Sequence, residues 1–287
     1  MTTFFSALST GAIYTLLALG FNVVFVSAGM FNFAQAQFMM VGTFVSYWVA
    51  VQLHLPVALG FAFGLVIGFS LGVIEERVAI RPVLGKVAHA ELITTIGTGI
   101  ILDGLASLLW GTQPFQVPFF GSITPIKIAG GYVDPDEVIV IGAAVVVPIA
   151  LEVWSRNSLL GLACLASSED RQAAMVRGIN TRRVSLIAVA AAAGFAGLLG
   201  PLIGPQTYAV YNIGDTLAIT SFVAMAIGGF GSYLGSMAGG FAVGLIEQFS
   251  VRYLSAEYQN VILFGALVIL LMLRPAGLFS SARVRVV

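Results

Sequence analysis

The chain has 287 residues, 59% of them apolar and only 9% charged, and its Lys and Arg balance its Asp and Glu to a net charge of zero. With a mean hydropathy of +0.99, too little polar surface exists to cover a core in water, which excludes a soluble domain and requires lipid as the solvent. Period-2 alternation is absent, which argues against a β-barrel. The single Cys164 excludes an internal disulfide and an all-cysteine metal site.

The first apolar stretch has no basic n-region and no small-residue cleavage signature after it, so it reads as a retained segment and not a signal peptide. Spanning segments are expected near 6–27, 32–52, 57–74, 91–110, 137–154, 184–204, 217–231, 234–251 and 258–273. The predicted fold is all-α: a polytopic transmembrane helical bundle of about eight or nine spans, one domain over residues 1–287 with a polar loop at 155–183. Segments 137–154 and 217–231 are short, and the second, leading into "GGFGSYLG", is a candidate re-entrant element.

Between the first two segments, "SAGMFNFAQAQF" breaks the apolar run at Ser27 to Met30. Asn32 is placed to cap the next helix, with Gln35 and Gln37 in its first turn. A broken helix that frees backbone N–H groups builds binding sites in transporters; a capped helix at a membrane surface is the plainer alternative. The third segment places Gly60, Gly64, Gly68 and Gly72 at four-residue spacing, a smooth stripe against which another helix can pack closely.

The fourth segment carries Asp103, with Thr95 and Thr98 upstream. Later in the chain, Glu247 lies well inside its own span. Polar groups in lipid face a cavity or one another, so Asn32, Gln35, Gln37, Thr95, Thr98, Asp103 and Glu247 are the candidate substrate-pathway residues. Structural pairing between helices is the alternative for both acids.

The stretch from Gly111 to Asp136 is too polar and too rich in proline to span. Eleven of the thirteen basic residues fall in three places, around Arg77–Lys86, around Arg156–Arg183 and at Arg274–Arg285. The expected spans put all three on one side, which identifies that side as the cytoplasm. Trp48, Trp110 and Trp154 fall near span ends, where aromatic belts sit.

"SSEDRQAAMVRGINTRR" stands out, with six charges in seventeen residues. Ser167 as N-cap and Asp170 three residues on fit a capping box, and Gly178 fits a C′ glycine, predicting a helix from Ser168 to Arg177. So short a helix is marginal alone and needs something to pack on. No phosphate loop, H-E-x-x-H or G-x-S-x-G is present, so an enzyme is not expected.

Within that stretch, Gln172-Ala173-Ala174 followed by Gly178 resembles the E-A-A-x-x-x-G loop of ABC-importer permeases, with Gln for Glu and without the later I-x-L-P. "EDRQAAMVRGIN" is similar to the corresponding loop of the LivH-type permease subunits of branched-chain amino-acid ABC transporters. The likeness continues through "GAIYTLLALGFNVVF", "FNFAQAQFMMVGTF", "GPQTYAVYNIG", "AIGGFGSYLGSMAGGFAVGLIEQ" and "LRPAGLF". The resemblance implies a permease in a bacterial cytoplasmic (inner) membrane. Its implied partners are a LivM-type second permease, two cytoplasmic ATPase subunits and an extracytoplasmic substrate-binding protein. It implies no cofactor in this chain, ATP and Mg being bound by the ATPases, and no nucleic-acid partner is expected.

The resemblance makes Glu169, Asp170, Arg171, Ala173, Ala174, Val176, Arg177 and Gly178 the coupling helix that sits in a cleft of the ATPase. Asn32, Gln35 and Gln37 match the family's helix-start segment, and Glu247 matches its G-L-[IL]-E position. Asp103 departs from the uncharged residue expected there. The implied cargo is a branched-chain or other hydrophobic amino acid, with amides, urea and aromatic acids open within the family. The rival is a stand-alone secondary transporter using Asp103 and Glu247 as proton or ion sites.

Overall fold

A computed structural model describes residues 2–83, 90–119, 125–128, 131–274 and 277–279; Lys86, His89, Arg283 and Arg285 lie outside these. Helices dominate, as they must where no water satisfies backbone N–H and C=O groups. In chain order they are α1 (Thr2–Ala28), α2 (Gln35–Tyr47), α3 (Val57–Glu75), α4 (Ala90–Trp110), α5 (Pro135–Asn157), α6 (Leu159–Glu169), α7 (Arg171–Val176), α8 (Thr181–Thr207), α9 (Ile213–Gly228), α10 (Tyr233–Tyr253) and α11 (Gln259–Leu273). Single π-helical turns extend α2 over Trp48–Gln52 and α3 over Glu76–Ile80. One small antiparallel hairpin, β1 (Ile126–Ile128) with β2 (Gly131–Val133), pairs Ile126 with Val133 inside the stretch read as too polar to span.

Among the described residues, six helices are long and apolar enough to cross a membrane, and α9 with α10 makes a seventh if that pair, bent by 119°, is one broken span. The expected eight or nine spans are therefore not confirmed. Two reasons account for the difference. Segment 32–52 shortens to a 13-residue α2 that opens with two glutamines and loosens into a π turn. Segments 217–231 and 234–251 are two arms of one bent pair, in line with the re-entrant character expected of the first.

The chain forms two compact units: residues 1–22, 123–154 and 219–287 in one, and residues 23–122 and 155–218 in the other. In the second unit, α2, α3 and α8 pack against one another through glycines. The stripe Gly60, Gly64, Gly68 and Gly72 is entirely buried. A Cβ at Gly64 would strike the carbonyl of Gly197 on α8, and one at Gly72 would lie 2.9 Å from the carbonyl oxygen of Val189. Such close approach trades side-chain volume for backbone-to-backbone contact, the packing that works in lipid. The opposite side of α3 exposes Val66, Phe69 and Ile74.

Helix α4 buries Thr95, Gly99, Leu102 and Ala106, one helical stripe, and exposes Ile93, Ile100 and Leu108 on the other side. Its last residue, Trp110, stacks on Phe44 with ring centroids 4.8 Å apart, whereas Trp48 and Trp154 are exposed. Beyond α4, Phe115 and Ala209 exchange two backbone hydrogen bonds of 3.1 and 2.8 Å. That bridge holds Tyr208, at the end of α8, at φ 60° and ψ 165°.

In the first unit, α1 and α10 also meet on glycine. A Cβ on Gly11 would lie 2.8 Å from the Gly240 carbonyl oxygen. Asn22 holds the turn between α9 and α10: Nδ2 donates to the Ser232 carbonyl (3.0 Å) and to Ser236 Oγ, and Oδ1 accepts from the Gly231 N–H (2.9 Å). The last described residues complete the same turn. The N–H groups of Leu278 and Phe279 donate to the carbonyls of Ile227 and Gly228, at 3.0 and 2.9 Å. These are the C-terminal carbonyls that a helix cannot satisfy by itself.

Candidate functional site

The break after α1 works through its side chains. Gly29 adopts φ 68°, the left-handed turn that ends a helix. Asn32 does not cap α2 as expected; the N-cap position belongs to Ala34, which is itself helical and gives no side-chain cap. Asn32 instead makes an Asx turn, Oδ1 accepting from the Ala34 N–H at 2.9 Å. That leaves Nδ2 free to donate to Glu75 Oε2 at 2.6 Å. Both residues are fully enclosed, and Glu75 Oε1 has no hydrogen-bond partner.

Gln35 and Gln37 do sit in the first turn of α2, and they point different ways. Gln35 Nε2 donates to the Ala192 carbonyl of α8 at 2.8 Å. Gln37 Nε2 donates to Asp215 Oδ1, in the first turn of α9, at 2.9 Å. The Oε1 atoms of both glutamines are buried and accept nothing. Thr95 joins this group by accepting from the Phe33 N–H at 3.3 Å. Asp103 lies beside the Gln37 amide and the Asp215 carboxyl, and its Oδ1 is buried without a donor.

Six of the seven pathway candidates lie in one unit, and five of them, Asn32, Gln35, Gln37, Thr95 and Asp103, meet polar groups beyond their own helix. Thr98 serves its own helix, donating to the Thr94 carbonyl at 2.9 Å. Glu247 belongs to the other unit, where Tyr14 donates to one of its oxygens at 2.5 Å and Gln259 to the other at 2.7 Å. Both oxygens are satisfied, and the hydrogen bonds tie α1, α10 and α11 together.

Two acids in the cluster escaped the sequence reading. Glu75 stood at the expected end of a span, beside Glu76 and Arg77, and looked like the start of a loop. The helix instead continues to Ile80, burying Glu75 and also Glu76, which pairs with Arg81 at 2.7 Å. Asp215 gave only the weak signal of a lone acid in a first helical turn.

The polar stretch at 155–183 folds as two helices, not one. Ser158, not Ser167, is the serine that caps a helix, Oγ accepting from the Gly161 N–H of α6 at 2.9 Å. Ser167 and Ser168 lie in the last turns of α6 and bond back to the carbonyls of Ala163 and Leu165. Asp170 is the true cap of α7, its Oδ1 accepting from the Gln172 and Ala173 N–H groups, each at 2.9 Å. A carboxylate outcompetes the serines because it accepts both orphan donors at the positive end of the helix.

The expected helix Ser168–Arg177 therefore contracts to Arg171–Val176, and Glu169 ends α6. Gly178 is the C′ residue as expected, at φ 84°. The Ile179 N–H donates to the Ala174 carbonyl and the Gly178 N–H to the Met175 carbonyl, both at 3.0 Å, a complete Schellman motif. Ala174 is buried beneath the helix, while Ala173, Met175, Val176 and Arg177 are exposed, Val176 at 89%.

Comparison with known proteins agrees with the helix pattern. Residues 3–272 match the family model described as "Branched-chain amino acid transport system / permease component". The chain is 33% identical to the high-affinity branched-chain amino acid transport system permease protein LivH of Escherichia coli K12, over 98% of this chain and 95% of that one. It is 29% identical to the corresponding protein BraD of Pseudomonas aeruginosa, over 97% of this chain and 95% of the relative. A further relative is the LivM permease protein of Escherichia coli K12, at 27% identity over 94% of this chain and 68% of that protein. No solved structure gives a significant match. Match and fold together place the chain, as a multi-pass membrane protein, in the family of branched-chain amino acid transport system permease components.

Proposed function

We propose that this chain is one of two permease subunits of an ABC importer and forms, with a LivM-type partner, an ATP-driven path for branched-chain or other hydrophobic amino acids. The observation that carries this is similarity along nearly the whole chain to LivH and, more distantly, to LivM, two different permeases of one kind of system. The completing partners in this reading are two cytoplasmic ATPases, which bind ATP and Mg, and an extracytoplasmic binding protein. The membrane is the bacterial inner membrane, with residues 155–183 as the cytoplasmic coupling loop.

In this reading α7 docks in a cleft of an ATPase. Its caps make six residues hold as a helix, and exposed Met175 and Val176 offer the apolar contact that a partner would cover. Asn32, Gln35, Gln37, Thr95 and Asp103 line the path; closure of the ATPases on ATP then moves α7 and alternates access to them.

Copurification from native membranes tests this: a second permease and an ATPase pair are expected with the tagged chain. A stand-alone secondary transporter is the second reading, and the paired carboxyls of Asp103 and Asp215 favour it. Uptake into liposomes by the purified chain, with no ATPase present, would establish that rival and overturn the importer.

A further inference from the structure

The pathway cluster has one corner with a definite chemical bias. Three elements bring Gln37 (α2), Asp103 (α4) and Asp215 (α9) together. Gln37 is 3% exposed, and its amide is wedged: a Cβ on Gly214 would lie 3.0 Å from Gln37 Cδ, and one on Gly99 3.3 Å from it. The amide cannot turn without losing the hydrogen bond to Asp215. Its Oε1 therefore stays an unfilled acceptor, as does Asp103 Oδ1.

Both atoms left over in this corner are acceptors. The groups acting on Asp103 are Asp215 and Gln37, neither of them a cation. Buried acceptors without donors are costly, and two carboxyls side by side more so. The corner is nonetheless open on one side, since Asp215 is exposed and Asp103 partly so. Carboxyls within membrane helices do not face lipid, so that opening meets water or a partner subunit.

We propose that Asp103, Asp215 and Gln37 form the subsite that recognises the ammonium group of the transported solute. A primary ammonium carries three donors and one positive charge in a compact head. It would give a hydrogen bond to each carboxylate and one to Gln37 Oε1, filling the unsatisfied atoms and offsetting the repulsion between the acids. A carboxylate end is repelled there, and a neutral amide supplies donors but no charge. The inference rests on the importer reading and narrows its cargo: an amine-bearing amino acid fits, while urea and simple amides do not.

The test uses the complete transporter, with second permease, ATPases and binding protein, in proteoliposomes offered labelled L-leucine, L-phenylalanine, acetamide or urea. Uptake of leucine or phenylalanine is expected, and D103N and D215N each cut it about tenfold or more, as loss of a charge-assisted hydrogen bond implies. Both variants still assemble with the second permease, and D103E recovers part of the uptake. Amino-acid uptake unchanged in both Asn variants would overturn the subsite and leave the importer reading intact. Uptake of acetamide or urea would overturn the ammonium assignment. Failure of both variants to assemble with the second permease would reassign the pair to a subunit contact. If the assembled wild type imports none of the four solutes, the importer reading falls, and the subsite with it.

Discussion

Asp103 and Lys127 are both charged, and their settings predict opposite tolerance. Asp103 lies beside two polar groups on two other helices, whereas Lys127 is exposed on the β1 strand. Uptake by Asp103→Asn is expected to change far more than uptake by Lys127→Ala; normal transport by Asp103→Asn would return that residue to a packing role. Tyr208 makes a different point. Its φ of 60° with ψ of 165° is a conformation open almost solely to glycine, costing about 1–3 kcal/mol. Tyr208→Gly should raise the unfolding temperature of the purified protein. If uptake falls while stability rises, the ring itself serves transport. Asp103 and Gln37 were legible from sequence as polar residues in apolar runs. Their convergence was not, because Gln37 meets Asp215 across 178 positions of chain. Glu75 was hidden for the same reason, its partner Asn32 lying 43 residues away.

At the scale of elements, the glycine stripe was the most legible feature, since a period of four fixes one helix face whatever the partner. The partner, α8, became visible only in three dimensions. Gly197→Leu should destroy the α3–α8 contact, because its Cβ would already meet the Gly64 backbone. Loss of folded protein in detergent extracts, by size-exclusion profile, checks this. The short helix was legible in its existence and its terminal glycine but not in its start. A serine and an aspartate compete for the cap, and the geometry that decides lies in the preceding α6. Ala173 is exposed and Gly178 sits at a φ that proline cannot adopt. Ala173→Arg and Gly178→Pro are therefore expected to uncouple ATP hydrolysis from uptake while membrane insertion survives. Normal uptake by both would remove α7 from coupling.

For the molecule as a whole, composition announced a membrane protein before any motif was read, and the helices agree. Their outward faces carry large apolar side chains, as at Ile93, Ile100 and Leu108 on α4 or Val261, Ile269 and Met272 on α11. Ile100→Lys should impair insertion by about 3 kcal/mol if that face meets lipid, read as the membrane-integrated fraction in an insertion assay. Full insertion would mean that the face meets water or protein. The span count was less legible, because length and hydropathy do not tell two spans from the arms of one bent pair.

The backbone contacts of Leu278 and Phe279 with the end of α9 carry a consequence for biosynthesis. The carbonyls of Ile227 and Gly228 are made long before the residues that satisfy them. Until the ribosome has delivered Leu278 and Phe279, the bend after α9 must borrow other partners, from water, translocon or chaperone. This bend is thus expected to reach its final hydrogen bonding only after Leu278 and Phe279 have joined it.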